Sequence, residues 1–158
     1  MIINKRDEIV LEDLCIKLNQ VIVEVLKFEP KFRYSYLEGE DYYIISNKTK
    51  VFGQRRFDLN MRLYKDKENN NKDKENNNFL YAYILWFSVN PKKMGLGSII
   101  INEIIEVLKE SVKLEFLVLH PDDNEVKYFW MKNNFMPNEG KLDKRIDINT
   151  RRILVYAV

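Results

Sequence analysis

Four consecutive patterns between Phe79 and Leu119 constrain this chain most: an apolar strand, a glycine turn, a striped helix and a second apolar strand. Phe79 to Val89 is a nearly unbroken apolar and aromatic run, which suits a central strand covered on both faces. Asn90-Pro91-Lys92-Lys93-Met94-Gly95-Leu96-Gly97-Ser98 then opens a helix whose face carries Leu96, Ile100, Ile104, Val107 and Leu108. Leu114 to Leu119 reads as a second fully buried strand. A strand, helix, strand sequence of this length joins two parallel neighbours through a right-handed crossover. Glycines at the passage from strand to helix let several backbone N–H groups and the positive end of the helix dipole face one anion. The turn around Gly95 and Gly97 therefore predicts a phosphate cradle.

The flanking segments extend this unit into a mixed sheet. Leu11, Leu14, Cys15, Leu18, Val21, Ile22, Val25 and Leu26 recur at helical spacing and Pro30 ends the pattern, so a helix is expected over residues 7–28. Cys15 lies on its buried stripe and reads as a small core residue. Tyr42 to Ser46 is a short strand candidate, residues 47–50 a turn candidate. Phe57, Leu59, Met61 and Leu63 alternate with Asp58, Asn60, Arg62 and Tyr64 as in a strand buried on one face. This strand and Phe79–Val89 should form an antiparallel hairpin. Between them KDKENNN occurs twice in succession, a low-complexity hairpin extension over residues 65–78 with no apolar side chain to bury. Asp122 or Asp123 can cap a further helix through Lys132, with Asn133 or Asn134 as its left-handed end, and Arg151 to Val158 supplies a last strand. The expected fold class is mixed α/β, largely antiparallel with one parallel strand pair and flanking helices, in a single domain over residues 1–158.

Composition removes several function classes. The 158 residues carry 26 basic and 24 acidic side chains, a net charge of +2, and the signs are interspersed, so no nucleic-acid partner is expected. A single cysteine excludes an internal disulfide, and a single histidine, His120, leaves no zinc-type ligand cluster, so no metal site is expected. No apolar run approaches the roughly 20 residues needed to span a bilayer. A cytoplasmic protein with no membrane partner is the expectation.

On the motifs just quoted the chain resembles the GNAT superfamily of acyl-CoA N-acyltransferases. Lys92-Lys93-Met94-Gly95-Leu96-Gly97 is similar to that family's [Gln/Arg]-x-x-Gly-x-[Gly/Ala] loop, with Lys92 in the Gln/Arg place. Asp123, Val126, Trp130, Lys132, Asn134 and Phe135 follow the line of its later Asn-x-x-Ala-x-x-x-Tyr-x-Lys-x-Gly-Phe signature. The resemblance covers residues 79–135. It implies acetyl-CoA as cofactor, with Phe87, Val89, Lys92, Lys93, Met94, Gly95, Leu96, Gly97, Ser98, Asp123, Asn124 and Trp130 around it. It also implies two parallel strands that splay apart, leaving an edge along which pantetheine can pair like an added strand.

Three departures from the family pattern bear on catalysis. The Val89–Gly95 interval is about two residues short. Trp130 stands where a tyrosine often protonates the leaving thiolate, and an indole N–H donates a hydrogen bond but no proton near neutral pH. No carboxylate lies between Phe79 and Asn90 to serve as a base. His120, after the Leu114–Leu119 strand, is of a residue type suited to a general base and lies at a suitable strand end. Tyr156, on the last strand, reads more readily as a sheet aromatic than as a replacement acid. Residues 29–41 read as a connection shaping the acceptor pocket; the family's second helix would have to fit into residues 29–37 and its first strand into Met1–Lys5, stretches so short that the chain can lack either. The implied activity is transfer of an acetyl group from acetyl-CoA to a primary amine, of a small molecule or peptide, by direct transfer in a monomer or homodimer. The alternative is a weak or inactive module of the same fold that binds acyl-CoA or a protein partner.

Overall fold

The computed structural model describes residues 4–47, 50–53, 55–66, 79–92, 94–138 and 153–158. The first helix, α1 (Lys5–Leu26), starts where the Asn4 side chain accepts from the Arg6 amide and ends at Lys27 in the left-handed region. The chain then forms β1 (Phe32–Tyr36), β2 (Tyr42–Asn47), β3 (Lys50–Phe52), β4 (Arg55–Lys65) and β5 (Phe79–Asn90). After α2 (Leu96–Ser111) come β6 (Phe116–Leu119), α3 (Asn124–Lys132), β7 (Met136–Pro137) and β8 (Leu154–Ala157). One sheet takes all the strands among the described residues in the order β1-β2-β4-β5-β6-β8-β7, with β3 pairing β4 off that path.

The expected mixed architecture is the one observed. β5 and β6 are parallel, and the neighbouring pairs along the sheet are antiparallel. The α2 connection between β5 and β6 is too long for a hairpin and lets the two strands run the same way. Phe57, Leu59, Met61 and Leu63 of β4 are all buried, and they share one core with Leu11, Leu14, Leu18 and Ile22 of α1 and with Ile100, Ile101 and Ile104 of α2. At one end of that core Asp7 is buried, accepting a 2.8 Å hydrogen bond from the Tyr43 hydroxyl and pairing with the Lys65 ammonium. The buried charge is thus both paired and hydrogen-bonded, the condition for tolerating it.

Several expectations are corrected. Residues 29–41 are neither a plain connection nor a helix, because Phe32, Tyr34 and Tyr36 alternate with Arg33 and Ser35 and form edge strand β1 against β2. A period of two over five residues is a short signal, and the helical alternative had none. Lys5 is already helical, so no first strand ends there. β4 is not buried on one face alone, since Asp58 is only 5% exposed. β5 is covered on both faces only in its first half; Leu85 and Trp86 are 41% and 54% exposed. The Leu114–Leu119 strand begins at Phe116, itself half-buried. The short pairings β3 and β7 carry no periodicity that sequence could reveal. Most of the 65–78 extension, residues 67–78, lies outside the described residues, as do residues 48, 49, 151 and 152.

Candidate active site

β5 is where the sheet changes character. It pairs with β4 from Phe79 to Asn90, but with β6 only from Tyr81 to Ile84, whose last partner is Leu119. From Leu85 to Asn90 its second edge has no strand partner among the described residues. Met61 faces Ile84 and Asn60 faces Trp86, so Leu85 is the extra residue of a bulge. A bulge bends its strand and switches which side chains face which way. The register shows the switch: Ala82 and Ile84 face the α1–α2 core before it, and Phe87 and Val89 do so after it. The parallel pair thus parts into a fork at the residue where β5 bends.

The free arm of the fork leads through Asn90 and Pro91 to the start of α2. Gly95 is the N-cap, with φ +74°, and supplies no side-chain cap. The first intrahelical bond runs from the Ile99 amide to the Gly95 carbonyl at 3.2 Å, so the amides of Leu96, Gly97 and Ser98 precede the helical ladder. Only glycine takes that φ without cost, and a Cβ at Gly95 would meet no atom within 4 Å. Space beside uncapped amides is what a phosphate needs.

Gly97 serves a different purpose. A Cβ there would come within 3.2 and 3.3 Å of the Phe129 ring and 3.8 Å of Phe87. It is the contact that brings α2 close to α3. Phe87 stacks on Phe129 at 6.1 Å and leans on Trp130 at 5.4 Å; Trp130 meets Phe135 at 4.9 Å, and Phe135 meets Tyr156 at 5.3 Å. Trp130 is only 4% exposed, the inner wall of this aromatic row, while Tyr128, on the other side of α3, is 72% exposed.

Sequence reasoning passed over Asn133 except as a helix end. It is buried, and its amide donates to Ser98 Oγ at 3.1 Å and to the Phe129 carbonyl at 2.9 Å, while its oxygen accepts from Asn102 at 3.3 Å. It therefore ties the first turn of α2 to the end of α3. Asn134 is the left-handed residue, at φ +72°. Asp123 caps α3 through the Val126 amide at 2.8 Å, and Asn124 opens the helix, exposed.

Apart from Asp123 and Asn124 at the start of α3, the described sequence-derived site residues fall into three groups. Lys92, Met94, Gly95, Leu96, Gly97 and Ser98 gather at the α2 start, and Lys92 and Met94 are exposed. Phe87, Val89 and Trp130 lie inward, with Val89 buried and Phe87 half-buried. His120 is exposed and immediately follows Leu119, at the fork itself. Lys93 lies outside the described residues. No group of three or more His, Cys, Asp or Glu fit to hold a metal occurs among the described residues, and no described helix is long and apolar enough to cross a membrane.

These features define a class by architecture: a mixed α/β sheet with one parallel pair that forks ahead of a glycine-capped helix. No protein-family model matches the chain, and no curated protein matches it. Among solved structures, the chain is similar to Arabidopsis thaliana NAA60 in complex with a bisubstrate analogue, at 18% identity and a TM-score of 0.46 over 93% of this chain and 94% of that one.

Proposed function

We propose that the protein is an acetyl-CoA-dependent N-acetyltransferase acting on a primary amine by direct transfer. The observation that carries this reading is the open β5 edge, Leu85 to Asn90, running into an uncapped helix N-terminus with room at Gly95. An extended chain ending in a pyrophosphate is complementary to both parts at once. Main-chain groups of β5 around Phe87 and Val89 would hold the pantetheine arm. The amides of Leu96, Gly97 and Ser98 would hold the pyrophosphate, with charge from Lys92 and Lys93 and with Met94, Asp123 and Asn124 around it. Bound acetyl-CoA would supply an acetyl thioester, from which an amine takes the acetyl group while sulfur leaves as thiol.

The chain's own part is placement and proton handling. Holding an amine in the fork beside the acetyl group supplies rate through proximity. His120, exposed at the fork, is the group placed to take the amine's proton. Trp130 fixes the position of Phe87 and donates no proton. The second reading, a module that binds acyl-CoA or a protein without turnover, is favoured by one observation: Trp130 is buried where a proton donor would stand.

Calorimetric titration of acetyl-CoA and desulfo-coenzyme A into the wild type and Lys92→Glu tests the cofactor site. Saturable binding, weakened about five- to tenfold by the charge reversal, is expected, about 1 kcal/mol. No binding in either protein overturns the reading. Thiol release across a panel of amines, reduced in His120→Ala with a displaced pH profile, separates enzyme from module; binding without release at any pH favours the module.

A further inference from the structure

β4 presents a second set of side chains to the sheet face away from the α1–α2 core, and two of its atoms have no partner. Register places Asp58 beside Ser88, Asn60 beside Trp86 and Arg62 beside Tyr83 on that face. Asn60 Oδ1 and Arg62 Nε are both buried and without a hydrogen bond. Each such atom destabilises the fold unless something satisfies it. The rest of Arg62 packs on Tyr42, its guanidinium 4.7 Å from the centre of that ring. Asp58, with one oxygen 2.8 Å from Arg56 Nε, adds a buried carboxylate two residues from Asn60. Trp86, directly after the Leu85 bulge, is 54% exposed and so has room to turn aside from Asn60.

We propose that this patch recognises an α-amino acyl head group, an amine whose neighbouring carbon bears a carboxylate or carbonyl. The unpartnered pair is one acceptor and one donor, two residues apart on one strand. An inorganic anion would satisfy Arg62 and leave Asn60 Oδ1 orphaned; a plain alkylamine would do the reverse. The α-amino acyl group satisfies both, its N–H donating to Asn60 Oδ1 and its oxygen accepting from Arg62 Nε, with Asp58 nearby for the positive charge and the Trp86 indole as a wall. The free amino acid and the peptide N-terminus share this chemistry. The site's role as acceptor subsite rests on the acetyl-transfer reading, because it lies beside the same fork; recognition of the head group does not.

The test is tryptophan emission of the full chain, with and without acetyl-CoA, against four probe sets. These are the twenty free amino acids, a tripeptide library with free N-termini, the same library N-acetylated, and the amines left when each amino acid loses its carboxylate. At least one free amino acid or the free library should shift the emission saturably, and which of them does so identifies the source. The N-acetylated and decarboxylated sets should bind at least tenfold more weakly. Asn60→Leu and Arg62→Met should each weaken binding at least tenfold, with Tm unchanged or raised in Asn60→Leu because an orphaned acceptor is gone; Asn60→Ala serves if the larger side chain does not fit. Equal binding of decarboxylated amines, unchanged binding in the variants, or no response to any probe overturns the proposal. A response that persists in a protein unable to bind acetyl-CoA leaves this site standing and removes the acetyl-transfer reading; acetyl-CoA binding with no response does the opposite.

Discussion

Cys15 is set by its surroundings rather than by its own chemistry. Burial in the α1 stripe, with Glu12 adding repulsion, pushes its thiol up to about 11, away from the value of 9.0 taken for an unperturbed thiol. The folded chain therefore keeps the proton over a range in which the unfolded chain has lost it. Stability from this group is fully present below about pH 9 and is lost as pH rises toward about 11, a loss on the order of 2 to 3 kcal/mol by linkage. Urea titrations at pH 8 and pH 11 should show this loss in the wild type and a smaller one in Cys15→Ala; equal losses would mean that other groups carry the alkaline limb. The same protonation predicts slow alkylation of the folded protein at pH 8. Cys15's stripe position was legible from spacing, but the second buried polar set was not. Asp58, Asn60 and Arg62 look like the solvent side of an alternating strand, and only the pairing with Ser88, Trp86 and Tyr83 shows where they sit.

Among the elements, α2 and α3 are joined both by the close approach at Gly97 and by a polar staple at Asn133. The glycine turn was read as a unit, yet its two glycines do separate things: Gly95 takes a left-handed φ with open space beside it, and Gly97 lets the Phe129 ring approach. A pattern of two glycines cannot distinguish conformational need from packing need, because α3 lies about thirty residues away in sequence. The stapling role of Asn133 was invisible for the same reason, since its partners Ser98 and Asn102 belong to the other helix. Asn133→Ala should cost about 2 kcal/mol in urea, the loss of a buried group that satisfies several others. It should also weaken acetyl-CoA binding, because Ser98 lies in the first turn of α2. Asn134→Ala, at the exposed left-handed position, should cost about 1 kcal/mol and leave binding alone. Equal effects of the two on binding would deny Asn133 any hold on the site.

At the scale of the molecule, the parts that sequence revealed are those with long, uniform periodicity: α1, β4, β5, α2 and the parallel pair that α2 obliges. The remainder, β1, β3 and β7, are edge pieces of five residues or fewer, positioned by pairing with strands already formed. Such a sheet has a consequence for unfolding. One apolar cluster contains residues of α1, β1, β2, β4, β5, α2, β6, α3 and β8, and the smaller cluster of Leu80, Tyr81 and Val118 sits on the same β5 and β6, so no described element has a core of its own to retreat to. Phe135, fully buried between Trp130 and Tyr156, links α3 to β8 within it. Loss of far-ultraviolet helix signal and loss of buried-tryptophan emission from Trp130 should then follow one urea curve. Phe135→Ala should move both together, by about 3 to 5 kcal/mol. If emission fell before the helix signal, the α3–β8 end would be a separate cooperative unit, and the fork would be a joint between two bodies rather than a bend in one sheet.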